Sequence, residues 1–294
     1  MSRQPTLRHI LAKTETYFRE KNLDSPRLSA QLILGKGLGV DRMGLFLNLD
    51  RPMLPTELDA LRPLVARRGR GEPVAYIIGE REFFSMAFTV DSNVLIPRPE
   101  TEHIVEEALR AFPREAELVF ADLGTGSGCL AVTIAAQFPA ARGVALDVSP
   151  GALAVARANA AKHNVEARLE FVQGTFTDLP VQPCGYTLIV SNPPYVSEAE
   201  YGELSPEVAA FEPRGALVPD TGAPGAGGLE AYPEVARVAR DRLAPGGVLI
   251  LEIGWKQGQA VKELLESPEF GFEGVGVLKD LAGLDRVVIG RKPC

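Results

Sequence analysis

Cysteine and histidine are too scarce in this chain to build a disulfide framework or a zinc site. Of 294 residues only Cys129, Cys184 and Cys294 are cysteines, without CxxC spacing, and His9, His103 and His163 are scattered. Long hydrophobic runs are missing too. No apolar stretch approaches the ~20 residues of a membrane span, and Met1 to Ile10 lacks the apolar core of a signal peptide, so no membrane association and a cytoplasmic location are expected. Positive charge is short: 31 Lys and Arg against 38 Asp and Glu leave a net −7. That weighs against a broad grip on nucleic acid, although a local basic patch stays open. What the chain has is enough apolar matter, 46% of its residues, to bury a sizeable core, and a length that suits two domains.

The pattern changes near residue 85. From Pro5 to Lys21, apolar Leu7, Ile10, Leu11, Tyr17 and Phe18 recur at helical spacing, and Ser25 with Pro26 reads as the N-cap and first turn of a second helix closed by Gly35. Further helices are expected at Arg42 to Asn48, behind Asp41, and at Thr56 to Arg68. Arg81 to Phe84 and Met86 to Val90 read as two short strands around Ser85, leading into the proline-bearing loop Ile96 to Pro99. The expectation is a helical domain over 1–75 and a β-hairpin linker over 76–99, before a third segment, 100–294.

From Glu100 onward helices and strands alternate. Helices are expected at Thr101 to Phe112, Cys129 to Phe138, Pro150 to His163, Leu229 to Leu243 and Gln257 to Leu265. Strands are expected at Leu118 to Asp122, Gly143 to Asp147, Leu169 to Gln173, Tyr186 to Val190, Val248 to Ile253, Phe272 to Leu278 and Arg286 to Gly290, with a Pro245-Gly246-Gly247 turn before the fifth. Such alternation specifies an α/β fold, a doubly wound, mostly parallel, seven-stranded Rossmann-like sheet with helices on both faces. Ligands in such sheets bind beyond the carboxyl ends of the strands, at the switch point.

Two motifs fall there. Asp122-Leu123-Gly124-Thr125-Gly126-Ser127-Gly128 lies between a strand and a helix, where glycines let the backbone approach a ligand and turn into a helix with free N–H groups. Asp147 ends the next strand, where a carboxylate can accept both hydroxyls of a ribose. A tight turn with a capping Asp is the bland alternative. The second motif is Asn192-Pro193-Pro194-Tyr195, directly after the apolar strand Tyr186 to Val190. Each proline fixes its own φ, lacks a donor and biases its predecessor toward extended backbone, so Asn192 is held rigidly among carbonyls without local donors. An ordinary Asn-Pro turn is the competing reading.

The glycine spacing is Gly-x-Gly-x-Gly, with Cys129 where a dinucleotide fingerprint would carry its third glycine, so a NAD-dependent dehydrogenase has the wrong spacing. The glycine loop, the acidic residue and a strand ending in the tetrad together resemble S-adenosylmethionine-dependent methyltransferases. Within them, Asn-Pro-Pro-Tyr marks enzymes acting on a planar, unbasic nitrogen. Such a nitrogen is a poor nucleophile whose deprotonation at neutral pH is out of reach. Acceptors such as the Asn192 side-chain oxygen and the Pro193 carbonyl would orient it and meet the positive charge that develops on it. Tyr195 offers an aromatic wall.

Longer stretches narrow the resemblance. Arg70 to Ile77, Val94 to Glu102 (VLIPRPETE), the tetrad, Phe211-Glu212-Pro213 before Ala216-Leu217, and Gly283 to Gly290 (GLDRVVIG) are similar to the release-factor glutamine methyltransferases, the HemK or PrmC family. The similarity spans nearly the whole chain and is strongest from Gly71 to Arg291. It implies N5-methylation of the glutamine in the Gly-Gly-Gln loop of peptide-chain release factors, modulating translation termination. S-adenosylmethionine would be the donor, S-adenosylhomocysteine the product, with no metal. Carried over, Gly124, Thr125, Gly126, Ser127, Gly128, Asp147, Phe176 and Asn192 would bind the cofactor, and Asn192, Pro193, Pro194 and Tyr195 would hold the glutamine amide as catalytic and substrate-binding residues. The family places an acidic residue by the adenine where this chain has Gly174, leaving Asp178 as a weak substitute. A monomer that does not bind nucleic acid directly is the expectation.

Bland readings stand beside several neighbours. Arg98 and Glu100 line a substrate entrance or simply start a helix. Arg67, Arg68 and Arg70 touch a partner or, as expected for cations in a last helical turn, do not. Trp255 is expected to pack under a loop, and Cys129 to be buried as a small apolar residue. The helical domain carries no catalytic constellation, so recognising the protein substrate or covering the cleft is its expected role. Rival functions are an adenine-N6 or other nucleic-acid amine methyltransferase, which would bind in a salt-sensitive way, and a cofactor-binding module without catalysis.

Overall fold

The computed structural model describes residues 4–219 and 227–294. They form two compact units, Met1–Glu80 with Ser205–Phe211, and Arg81–Leu204 with Glu212–Cys294. Among the described residues no helix is long and apolar enough to cross a membrane.

The small unit is helical: α1 (Leu7–Glu20), α2 (Pro26–Leu38), α3 (Arg42–Leu47), α4 (Pro55–Gly69) and α5 (Val74–Ile78). Side-chain caps start α1 and α3, where Thr6 accepts from His9 N and Asp41 from Gly44 N. Ser25 departs from the expected cap. It sits in left-handed backbone at φ 44°, and its hydroxyl donates to Asp24. Gly35 does not close α2 either. The helix runs three residues further to a left-handed Gly39, and Gly35 is needed because a Cβ there would stand 2.8 Å from the Val40 carbonyl oxygen. Leu7, Leu34, Leu45, Met53 and Leu61 form one core cluster, and Phe18, Ala30, Ile33 and Ile77 a second.

The large unit begins with a hairpin of β1 (Glu80–Phe83) and β2 (Met86–Thr89). Phe83 and Phe88, packed edge to face, are buried in the core of the large unit, while residues 76–78 complete α5. A 3₁₀ turn, Pro99–Thr101, leads into α6 (Glu102–Ala111). Then follow β3 (Val119–Leu123), α7 (Cys129–Gln137), β4 (Arg142–Asp147), α8 (Pro150–Lys162), β5 (Leu169–Gln173) and β6 (Tyr186–Ser191). Between β6 and the next sheet strand lie two helices that the proline and glycine content of 198–228 conceals, α9 (Glu198–Tyr201) and α10 (Pro206–Phe211). The chain ends with α11 (Tyr232–Arg242), β7 (Leu243–Glu252), α12 (Gly258–Glu266), β8 (Glu273–Lys279) and β9 (Asp285–Arg291).

α10 belongs to the small unit, held there by Arg68. This almost fully buried guanidinium sits 2.7 Å from Glu207 and donates to the Glu72 carbonyl at 2.9 Å. Arg67 pairs with Glu72. Both cations are engaged within their own unit.

Seven strands make one sheet in the order β5-β4-β3-β6-β7-β9-β8, parallel except for β9, which runs antiparallel to β7 and β8. Successive residues bury on opposite faces. Phe120, Leu188, Val190, Val248, Ile250 and Val287 join α6, α7 and α8 on one side; Ala121, Leu123, Ile189, Leu249, Leu251 and Val288 join α11 and α12 on the other. Burial on both faces explains why these strands read as unbroken apolar runs. Pro245-Gly246-Gly247 lies inside β7, as a bulge: Tyr186 pairs with Leu243 but Leu188 with Val248. The chain winds outward from β3 to β5, then returns to place β6 on the other side of β3. That reversal is the switch point.

Candidate active site

Strand register assembles the site. Leu123 pairs with Leu146 of β4 and Ser191 of β6, Asp147 pairs with Gln173, and Ser191 pairs with Leu251. The residues at or just beyond these carboxyl ends therefore form a row across the sheet: Gln173, Asp147, Gly124, Asn192, Glu252. Residues far apart in sequence become neighbours because the strands are parallel and in step. Ser191 ties two of them, its hydroxyl donating 2.6 Å to the Leu123 carbonyl.

The glycine loop is bent by backbone no other residue adopts easily. Gly124, Gly126 and Gly128 have φ of 75°, 54° and 79°. The N–H groups of Gly124 and Thr125 both donate to the Leu146 carbonyl, and Gly126 N–H donates to Asp147 Oδ2 at 2.9 Å. Asp147 Oδ1 accepts from Ser149 N–H at 2.9 Å. Burial pushes the Asp147 carboxyl above its ordinary range, against those amide bonds. Beneath the loop Asp122 is wholly buried, accepting from the Thr125 hydroxyl at 2.6 Å and Ala131 N–H at 3.1 Å, and burial raises it to about 7. Gly128 has a packing task, since a Cβ there would stand 3.0 Å from that of Ala156 on α8. Asn159, also on α8, bridges the Thr89 backbone to the Ser127 carbonyl.

A cavity of about 360 Å³ opens above this row, within the size range of small-molecule sites. Gly124, Thr125, Gly126, Ser127, Asp147, Phe176, Asn192 and Pro194 line it; Gly128, Pro193 and Tyr195 do not. Tyr195 departs from the expected aromatic wall. Its ring packs on the sheet's second core cluster and its hydroxyl donates 3.0 Å to Glu252 Oε1, because burial of that carboxylate demands a donor. Glu252 is 1% exposed, and its Oε2 accepts from the Thr101 hydroxyl at 2.5 Å. Thr101 in turn faces Asn192 Nδ2 at 3.2 Å. Burial raises Glu252 to about 6, offset by those hydroxyl bonds.

Other walls settle the remaining expectations. A Cβ at Gly174 would stand 2.7 Å from both Cβ and Oδ2 of Asp178, whose carboxylate is held by Thr175 N–H and hydroxyl. The space a side chain at 174 would enter is thus taken by Asp178. Arg98 lines the cavity and pairs at 2.6 Å with buried Glu212, which also accepts from Ile96 N–H. Cys129 borders the cavity as a thiol, not a thiolate: burial, reinforced by the Asp122 charge, pushes it to about 12. Trp255 does not pack under a loop; it is half exposed with Lys256 above its ring at 4.7 Å. Residues 220–226 of the long loop lie outside the described residues.

Glu252, Thr101, Asn159 and Glu212 carry no role in the sequence reading. The available signal was a charged residue closing an apolar strand, Leu251-Glu252-Ile253, and a polar residue amid the alanines of α8.

Residues 120–211 match the family described as Methyltransferase domain, and residues 9–79 the one described as PrmC N-terminal domain. A methyltransferase from Pyrococcus furiosus shares the fold, with a TM-score of 0.51 at 20% identity over 78% of this chain and 98% of that one. Fold and domain match together define a Rossmann-like methyltransferase fold. The release factor glutamine methyltransferase of Nitratidesulfovibrio vulgaris is 45% identical over 288 residues, covering 98% of this chain and 95% of its own. That of Geobacter sulfurreducens is 43% identical over 286 residues, covering 97% and 96%. The chain belongs to the release factor glutamine methyltransferase family.

Proposed function

We propose that this protein transfers a methyl group from S-adenosylmethionine to the side-chain amide N5 of the glutamine in the Gly-Gly-Gln loop of peptide-chain release factors, and so modulates translation termination. One observation supports this most: the glycine loop and Asn192 leave paired strands side by side, at the floor of one cavity, in a chain of this family.

The residues present suit the cofactor. Gly126 has nothing within 4 Å of where a Cβ would stand, so its backbone is open to a ligand. Asp147 has accepted one amide on each oxygen and keeps carboxylate lone pairs that suit ribose hydroxyls. Phe176 gives an apolar wall suited to a base. When bound, S-adenosylmethionine supplies an electrophilic sulfonium methyl. The protein's own task is orientation: Asn192 Oδ1, on the cavity wall, accepts an N–H of the glutamine amide and fixes the nitrogen's direction. The same oxygen stabilises the positive charge that grows on nitrogen, an interaction strongest in the transition state. The methylated nitrogen then loses its extra proton to water.

Recognition of the release factor is assigned to the helical unit. Met43 and Leu47, one turn apart on α3, are 65% and 78% exposed, and an apolar face of that kind suits a protein partner. The test is labelled-methyl transfer to intact release factor, to a release factor whose loop glutamine is alanine, and to DNA. Label on the first alone is expected; label on DNA alone overturns the reading.

A further inference from the structure

Asn192 can act as an acceptor only if its amide is turned the right way, because its two ends have similar shape and opposite polarity. The tetrad's prolines fix the backbone but do not choose between Oδ1 and Nδ2. The hydrogen-bond chain behind it does. Glu252 follows Leu251, the register partner of Ser191, so β7 delivers its carboxylate beside Asn192. There it receives the Thr101 hydroxyl on Oε2 and the Tyr195 hydroxyl on Oε1. A carboxylate only accepts, so both hydroxyls must donate to it. Thr101 then has no hydrogen left for Asn192 and can only accept from it. Nδ2 must face Thr101, and Oδ1 is the end left for substrate. The inverted amide would set two oxygens against each other with no hydrogen between them, next to a carboxylate that is 1% exposed, where unmet polar groups are costly.

We infer that Glu252 and Thr101 are positioning residues that set the direction of the Asn192 amide, reserving Oδ1 for the substrate's N–H. This rests on the proposed function only for what that N–H belongs to. Glutamine at 252 would keep the shape and lose the direction, because its own NH₂ can donate to Thr101 and free the hydroxyl hydrogen to point at Asn192. Protonated Glu252 can do the same. Among the charged groups around Glu252, Glu100 raises its pKa and Arg286 lowers it, with the Tyr195, Tyr232 and Cys129 side chains feeling its charge in turn.

The experiment compares wild type, Glu252→Gln, Thr101→Val and Thr101→Ser by kcat and KM against pH on release factor, and follows the Asn192 side-chain NH₂ signals in ¹⁵N-labelled protein. Expected are a kcat lower by roughly 10- to 100-fold in Glu252→Gln and Thr101→Val, with KM for S-adenosylmethionine little changed, and near-wild-type kcat in Thr101→Ser. Wild-type kcat should fall on the acid side of about pH 6, the value at which Glu252 takes a proton, and Glu252→Gln should lack that limb. The Asn192 signals should titrate with the same midpoint in wild type and shift in Glu252→Gln and Thr101→Val. Wild-type kcat in Glu252→Gln, an acid limb that survives there, or Asn192 signals that ignore both substitutions overturns the inference. The NMR readout needs no substrate, so a wild type inactive on release factor would sink the proposed function and leave this inference to be judged by the spectra.

Discussion

Replacing Asp122 by asparagine should change how stability depends on pH more than any other single substitution in the sheet. Asp122 is 0% exposed, and among the described residues its Oδ1 has no partner, so its charge is held at a cost. Folding moves its pKa from 3.8 to about 7. Between those values the folded protein keeps a proton that the unfolded chain has released, so stability falls as pH rises through that window and levels off above it. With 1.36 kcal/mol per unit, the loss attributable to Asp122 between pH 5 and pH 8 is about 2 to 3 kcal/mol. Glu252, raised to about 6, adds about 1 kcal/mol in the same sense and remains in the variant. Asparagine keeps an oxygen for the Thr125 hydroxyl and Ala131 N–H and has no charge to bury. Denaturant unfolding at pH 5 and pH 8 measures the difference. Wild type should lose clearly more than Asp122→Asn, and equal pH slopes in the two proteins would refute the reasoning.

Three further outcomes follow. Asn192→Ala should lower kcat on release factor by roughly 10²- to 10³-fold while S-adenosylhomocysteine still binds, by calorimetry; near-normal turnover sinks the acceptor role. Met43→Asp combined with Leu47→Asp should leave Tm nearly unchanged, since both side chains are exposed, yet depress methylation of intact release factor far more than that of a short Gly-Gly-Gln peptide. Equal effects on both substrates remove the recognition role. Gly143→Ala would put a Cβ 2.3 Å from the Phe120 ring, and should cost at least about 1 to 3 kcal/mol by thermal or chemical unfolding; an unchanged midpoint contradicts the packing described.

The sheet was legible because four of its parallel strands, β3, β4, β6 and β7, are buried on both faces, which writes them as apolar runs with helices between. The glycine loop was legible because Gly124, Gly126 and Gly128 all take positive φ, a backbone that admits little else. The short helices α9 and α10 were not, since a run rich in proline and glycine suggests open loop while four to six residues suffice to form them. Within the site, Asp147 stands out as the last residue of a strand and Asn192 as the first after one. Tyr195 misled, because the same sequence position serves equally as an aromatic wall or as a donor to a buried acid, and only the location of Glu252 decides. Thr101, Glu252 and Glu212 act through partners 57 to 151 residues away. Separations of that size are set by strand register, which periodicity does not encode.

The placement of α10 with the helices of residues 1–80 means that the polypeptide passes between its two compact units at three points, after residues 80, 204 and 211. The small unit is therefore not a bead at one end of a string. A gene fusion that keeps residues 205–211 but drops the first eighty codons would leave Glu207 without Arg68, a guanidinium that is 2% exposed. Exchange between relatives should succeed only when residues 205–211 travel with the amino-terminal segment, so that the two stretches, distant in the gene, are inherited as one piece.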